Sequence, residues 1–139
     1  MENINLMKTT FTLLLLFVMA FAMAQTKTNL PRTEFAIAIS ENSLNIKPGE
    51  SKRIMVSVLR SKSFAKSKAL MGFSNMLPEG ITAYYEPTEG NFETTELTFT
   101  AGPTSMAGTY QIVLNSTLNH KTKGSILKLS VSNDNVASK

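Results

Sequence analysis

The stretch from Leu77 to Leu114 constrains the fold more than any other part of the chain. It reads LPEGITAYYEPTEGNFETTELTFTAGPTSMAGTYQIVL, in which short alternating runs of apolar and polar residues are separated by turns rich in Pro and Gly. Alternation with a period of two is the pattern of a half-buried β-strand. No segment after Ala24 has a convincing helical period of 3.6 residues, so the sequence predicts an all-β fold.

Similar alternating runs elsewhere bring the total to about seven short strands, at the spacing typical of a two-sheet sandwich. The predicted strands are Phe35–Ser40 continued by Ser43–Ile46, Lys52–Arg60, Lys68–Ser74, Ile81–Glu86, Thr94–Thr100, Tyr110–Asn115 and Ser125–Ser132. Their alternation predicts these inward-facing residues: Ile54, Val56, Val58, Leu97, Phe99, Ile112 and Leu114. Residues 61–67 are predicted to be a hairpin loop, residues 87–92 a loop, and residues 101–108 a crossing between sheets.

Turn residues and one tyrosine refine this prediction. Proline presets φ and glycine accepts positive φ, which identifies the turns at Pro48-Gly49 and Pro78-Glu79-Gly80. Tyr110 opens the penultimate strand, where a tyrosine commonly bonds back to the backbone at the corner between sheets. This position favours an antiparallel sandwich over a closed barrel, and it gives Tyr110 a structural role.

The N-terminal residues 1–24 are predicted to be a cleaved signal peptide. Lys8 precedes the apolar run Phe11–Ala22, and Ala22-Met23-Ala24 provides a small-x-small cleavage pattern before Gln25. The run is shorter than the roughly 20 residues of a spanning helix, so no membrane span is expected in the mature chain. The sequence has no cysteine, which excludes disulfides and a lipid-modified cysteine. We expect an exported protein, periplasmic or extracellular, with a flexible leader 25–34, one domain 35–132 and a polar tail 133–139.

The charges of the chain are segregated along the sequence, and the formal net charge is +4. Residues 52–68 are basic and residues 79–96 are acidic. A basic segment can attract nucleic acid, but a single-strand binder also interleaves aromatic residues, and only Phe64 lies among these charges. We therefore expect solvated strand faces and no nucleic-acid partner.

The order of these motifs resembles bacterial immunoglobulin-like domains. The matching residues are Pro48-Gly49 before the second strand, Leu77 to Pro87, Leu97 to Thr100, and Gly108-Thr109-Tyr110 at the start of a later strand. The resemblance covers Phe35 to Ser132 and implies an immunoglobulin-like sandwich that serves as a spacer, adhesion or polymer-binding module. It implies no shared catalytic residues.

The sequence contains no group of residues that indicates catalysis, so no catalytic, metal or cofactor site is expected. His120 is the only histidine, and Asp134, the only aspartate, lies in the predicted tail, which is unsuitable for a triad. The carboxylates of Glu86, Glu89 and Glu93 could ligate Ca²⁺, but calcium loops rely on Asp and Asn at fixed spacing. A solvated loop is the preferred interpretation.

Tyr84-Tyr85-Glu86 is the best candidate for ligand contact. Adjacent residues of a strand point to opposite faces, so one tyrosine must face outward or lie at an edge. We expect a non-enzymatic binding or adhesion module that acts through a sheet face, an edge strand or the end loops, with a protein or polysaccharide partner. The alternatives are a carbohydrate-binding module that works with separate enzymes and a self-assembling surface subunit.

Overall fold

The computed structural model describes residues 29–133, which form nine β-strands in two sheets. The strands are β1 (Phe35–Ile39), β2 (Ser43–Ile46), β3 (Ser51–Arg60), β4 (Ala69–Phe73), β5 (Ile81–Glu86), β6 (Glu89–Gly90), β7 (Thr94–Ala101), β8 (Gly108–Leu118) and β9 (Lys121–Val131). One sheet has the order β1-β3-β7-β5, and the other has the order β2-β9-β8-β4-β6. The predicted all-β class and two-sheet architecture are confirmed.

One hydrophobic core contains buried residues from both sheets, and it follows the period-two alternation of the strands. Every residue predicted to face inward is buried: Ile54, Val56 and Val58 in β3, Leu97 and Phe99 in β7, and Ile112 and Leu114 in β8. The five-stranded sheet also contributes the buried side chains of Leu127 and Leu129 in β9. Because each such side chain contributes about 1.5–3 kcal/mol on burial, the core stabilises the fold without covalent cross-links.

The prediction that residues 43–46 continue the first strand is wrong. β1 pairs with β3 in the four-stranded sheet, whereas β2 pairs in parallel with β9 in the other sheet. The polar break at Glu41-Asn42 lies where the chain changes sheets, and the change buries Leu44 and Ile46 in the core. The two-sheet fold is therefore not purely antiparallel.

The prediction of a hairpin between β3 and β4 is also wrong, because these strands belong to different sheets. A short 3₁₀ turn (Lys62–Phe64) begins this connection. Phe64 packs against Phe35, with 5.7 Å between their ring centroids. The aromatic contact holds the connection against the start of β1.

The last two long strands extend further than the sequence predicted. β8 and β9 pair from Gly108↔Val131 to Leu118↔Lys121, and the turn between them contains Asn119 and His120. The added residues are mostly polar, so alternation alone did not reveal them. A hydrogen bond of 2.8 Å between Thr117 and Thr122 joins the extended part. β6, in the predicted 87–92 loop, adds a two-residue pair to β4.

The predicted signal peptide 1–24, part of the leader and residues 134–139 of the tail lie outside the described residues. Residues 29–133 contain no helix with the length and hydropathy that a membrane span requires.

Neighbouring residues of β9 provide a test of its register. Leu127→Ala removes a fully buried side chain and is expected to lower the free energy of unfolding by about 2–5 kcal/mol. Ile126→Ala changes a side chain that is 57% exposed and should cost about 0.5 kcal/mol. Urea unfolding followed by circular dichroism measures both changes, and equal losses would contradict the register.

Candidate functional site

The two adjacent tyrosines of β5 lie on opposite faces of the four-stranded sheet. The Tyr84 side chain is 54% exposed on the outer face, whereas Tyr85 is buried in the core. Glu86, the third residue of the predicted contact site, ends β5 and is exposed on the same face as Tyr84. The structure therefore assigns Tyr84 and Glu86 to the surface and separates Tyr85 from them.

Tyr85 links the two sheets. Its hydroxyl donates a 2.9 Å hydrogen bond to the carbonyl of Gly72 in β4, across the core. Its ring packs against Phe73 at a centroid distance of 5.2 Å. Burial raises the pKa of the Tyr85 phenol well above its usual value, so the hydroxyl remains a donor. This residue has a structural role.

The outer face of β3, β7 and β5 surrounds Tyr84 with residues that the strand register places side by side. Arg53, Thr98 and Tyr84 form one row across the three strands, and Met55, Glu96 and Glu86 form the next row. We call these six residues the Tyr84 face. Met55 is 43% exposed, so this face presents an aromatic ring and a thioether beside charged groups.

Thr98 lies at the centre of the Tyr84 face, yet it is only 5% exposed. Its register neighbours are Arg53 on one side and Tyr84 on the other. The Thr98 hydroxyl has no hydrogen-bond partner among the described residues.

The basic and acidic segments of the sequence meet in the four-stranded sheet. β3 carries the first basic residues, and β7, which ends the acidic segment, is its direct neighbour. The Nε of Arg53 lies 3.4 Å from a carboxylate oxygen of Glu96. Glu86 is directly opposite Glu96 on β5, so two carboxylates are register neighbours in this row. Charges far apart in sequence are therefore interleaved on the Tyr84 face.

Tyr110 lies at the start of β8, where its hydroxyl donates to the carbonyl of Met106 at 3.1 Å. A Cβ at Gly108 would lie 3.2 Å from the Tyr110 hydroxyl, so glycine permits this close approach. Pro48 and Gly49 form the turn before β3.

The turn before β5 is held in place by hydrogen bonds within the turn and to residues 102–105. Pro78 accepts one from the amide of Ile81 at 3.0 Å, and Ser105 donates one to the carbonyl of Gly80 at 3.1 Å. Gly80 has φ of +80°, a value that favours glycine.

Glu34 ties the leader to the β8–β9 hairpin. One carboxylate oxygen is paired with Lys121, and the other lies 2.7 Å from the Nζ of Lys123. Hydrogen bonds from Lys121 and then Lys123 lower the pKa of Glu34 from its ordinary value of 4.5 to about 2. Sequence reasoning did not predict this contact, because Glu34 is far from Lys121 and Lys123 in the chain.

A cavity of about 630 Å³ lies at the other end of β3 and is lined in part by Leu30, Arg60, Asn91 and Glu93. Arg60 donates from Nε to the carbonyl of Ser67 at 3.1 Å, and from Nη1 to that of Phe92 at 2.5 Å. Burial lowers the pKa of Arg60, and the nearby charge of Glu93 opposes that shift. These contacts make Arg60 a link between loops.

The remaining candidates for chemistry do not converge within residues 29–133. His120 lies in the β8–β9 turn with φ of +64°. No group of three or more His, Cys, Asp or Glu side chains in this range is close enough to hold a metal ion.

Sequence reasoning identified Tyr84 but missed Arg53, Met55 and Thr98. The alternation of Thr94–Thr100 already assigned Thr98 to the face opposite Leu97 and Phe99. It could not show that β7 lies between β3 and β5, because strand order depends on pairing between distant segments.

Comparison with known proteins supports the fold and goes no further. No protein-family model matches the chain, and no curated protein matches it. The chain is similar in structure to a family 123 glycoside hydrolase from Clostridium perfringens, with a TM-score of 0.55 and 11% identity over 73% of this chain. It spans only 27% of that hydrolase. It is also similar to a conjugative transposon lipoprotein from Bacteroides eggerthii, with a TM-score of 0.50 and 11% identity, covering 68% of this chain and 95% of the lipoprotein.

The two tyrosines provide a matched pair of conservative substitutions. Tyr85→Phe removes the hydroxyl that donates to the partly buried carbonyl of Gly72, so we expect a loss of about 1 kcal/mol in the free energy of unfolding. Tyr84→Phe changes an exposed hydroxyl and should leave stability within about 0.5 kcal/mol. Chemical denaturation measures both, and a larger loss for Tyr84→Phe would contradict the assigned faces.

The Glu34 contact predicts a pH-dependent contribution to stability. A carboxyl whose folded pKa is below its unfolded value stabilises the fold above about pH 4.5, and this contribution disappears as pH falls toward about 2. The thermal midpoint of the wild type should therefore exceed that of Glu34→Gln at neutral pH, by a small margin for so exposed a pair. The difference should narrow between pH 4.5 and 2.

The control is Glu41→Gln, which changes an exposed carboxylate with no ion pair to the described residues. Differential scanning calorimetry across this pH range measures all three proteins. A wild-type advantage over Glu34→Gln that stays constant down to pH 2 would refute the role of the ion pairs.

Proposed function

We propose that this chain is an exported immunoglobulin-like β-sandwich that works as a non-enzymatic binding module. The strand order supports the immunoglobulin-like assignment. In such domains one sheet has the order ABED and the other contains GFC. β1, β3, β7 and β5 correspond to A, B, E and D, while β9, β8 and β4 correspond to G, F and C.

The corner at Tyr110 also supports this assignment. Immunoglobulin-like domains often carry a tyrosine near the start of strand F whose hydroxyl bonds to the backbone a few residues upstream. Tyr110 occupies that position in β8 and donates to Met106. The N-terminal pattern that ends at Ala24 supports export to the periplasm or the cell exterior.

We place the binding surface on the Tyr84 face, and the exposed Tyr84 ring is the observation that carries this proposal. An exposed tyrosine supplies a large contact area at low entropic cost. Arg53 and Met55 lie in the same two rows, and Tyr, Arg and Met are the residue types enriched where proteins bind each other. The face therefore has the composition of an interface.

A protein partner explains this composition better than a polysaccharide does. A sugar platform commonly presents more than one aromatic ring, whereas Tyr85 is buried and Tyr84 stands alone on its face. The two rows of the Tyr84 face carry both positive and negative charge, from Arg53, Glu86 and Glu96. This arrangement suits a protein partner with complementary charges. The polysaccharide alternative remains an outcome of the test below.

The experiment compares three forms of the exported chain on a resin exposed to the solubilised envelope and the medium of the native host. The forms are the wild type, Tyr84→Ala, and Ile126→Ala, which removes an equally exposed side chain from the other sheet. We expect retention of one protein by the wild type and Ile126→Ala only. Calorimetry with the purified partner should then show about thirtyfold weaker binding for Tyr84→Ala, as at a hot-spot residue.

Two results would argue against this proposal. If Tyr84→Ala retains the same protein with unchanged affinity, the Tyr84 face is not the binding surface. If the material that the wild type retains and Tyr84→Ala loses is polysaccharide alone, the carbohydrate-binding alternative replaces the protein partner. Unfolding measurements on each variant ensure that a loss of binding reflects the surface and not the fold.

A further inference from the structure

β2 is an edge strand whose main-chain hydrogen bonds to its neighbour alternate along the strand. It pairs in parallel with β9 and lies at the end of the five-stranded sheet. Lys128 donates its amide to the carbonyl of Asn42, and Ser132 donates its amide to that of Ile46. Because successive residues of a strand direct these groups to opposite sides, the even-numbered residues of this segment bond to β9.

The two odd-numbered residues of β2, Ser43 and Asn45, therefore direct their N–H and C=O groups away from β9. Within residues 29–133, no main-chain or side-chain group bonds to these four groups. Ser43 and Asn45 are both exposed, and so is Glu41 just before the strand. The edge thus presents two donors and two acceptors to solvent.

The other edges of the two sheets are covered at least in part by contacts within the chain. β1 lies alongside β9 of the other sheet. At the β5 edge, the amide of Ile81 donates to the carbonyl of Pro78. At the β4 edge, β6 pairs with one end of the strand, and the amide of Met71 donates to the carbonyl of Thr88. Among residues 29–133, β2 is therefore the edge with the most accessible main chain.

We propose that β2 pairs with β2 of a second copy of this chain, antiparallel, about a two-fold axis at Leu44. In this register Ser43 lies opposite the second copy's Asn45, and Asn45 lies opposite its Ser43. Each of these two pairs forms two main-chain hydrogen bonds, so all four outward groups of each copy are used. The interface is the same patch on both copies, so it closes as a dimer. The dimer joins the two five-stranded sheets into one sheet of ten strands.

The side chains around β2 suit this register. Glu41 lies opposite the second copy's Lys47 at both ends of the pairing, so opposite charges meet. Ser43 and Asn45 are neighbours across the interface on the outer face, where a hydroxyl and an amide can exchange hydrogen bonds. Leu44, at the axis, stays buried in its own core.

A proline substitution tests the pairing. Ser43→Pro removes the outward N–H and keeps the bonds to β9, and an edge strand accepts proline where its N–H faces solvent. The two-fold axis doubles the effect, so two of the four main-chain bonds are lost. We expect the dissociation constant of the dimer to rise about tenfold or more. Ser43→Ala retains the N–H and is the matched control, which should dimerise like the wild type.

Sedimentation equilibrium of the exported chain, residues 25–139, measures the wild type and both variants. The range extends to about 1 mM, because an interface as short as β2 is expected to be weak. Circular dichroism shows whether each variant is folded.

A mixture of two cysteine variants tests the register. The chain has no cysteine of its own, so a disulfide reports only the introduced thiols. Mixing Ser43→Cys with Asn45→Cys places two thiols opposite each other, with Cα atoms about 5.5 Å apart, a distance that a disulfide spans. Either variant alone places its thiols on a diagonal, with Cα atoms about 7–8 Å apart, and should cross-link far less. Mass spectrometry after mild oxidation identifies the mixed disulfide.

Three results would overturn the proposal. The first is a wild type that stays monomeric at the highest concentration. The second is a folded Ser43→Pro variant that dimerises as tightly as the wild type. The third is cross-linking of the mixture that does not exceed that of either cysteine variant alone, and this result decides the matter if Ser43→Pro does not fold. The Tyr84 face belongs to the other sheet and contains none of the substituted residues, so either proposal can fail without the other.

Discussion

The fold depends on the alternation of buried and exposed side chains along β3, β7, β8 and β9. Strands have a side-chain period of two, so a shift of register by one residue would expose every core residue of that strand. The core is the main stabilising feature, because the chain has no cysteine and Phe99, Leu114 and Leu129 are fully buried. The alternation therefore determines which side chains lie on the outer faces of the two sheets, where a partner can reach them.

Alternation and turn chemistry predicted much of the fold because both are local properties of the sequence. They identified the buried residues of β3 and β7 and the turns at Pro48-Gly49 and Gly80. They did not predict that β2 leaves the first sheet. Its alternation would be the same in either sheet, and only its pairing with β9 determines to which sheet it belongs. The same holds for the candidate site. The exposure of Tyr84 follows from the alternation of faces along β5. Its place in the same row as Arg53 depends on the order of β3, β7 and β5 in the sheet.

β5 carries a structural residue and the proposed contact residue at adjacent positions. Tyr85 is anchored to Gly72 across the core, and this anchoring fixes the backbone from which Tyr84 projects. A contact residue on a rigid strand loses little conformational entropy on binding, which favours affinity.

The parallel pairing of β2 with β9 has a mechanical consequence. The start of β2 and the end of β9 lie at opposite ends of this pair, which runs from Ser43↔Lys128 to Ile46↔Val131. Tension applied between these two points acts along the strands, so all the hydrogen bonds of the pair are loaded together in shear. Peeling would instead break them one at a time. A domain built in this way can resist tension applied between these two points while β5 and its outer face stay in place.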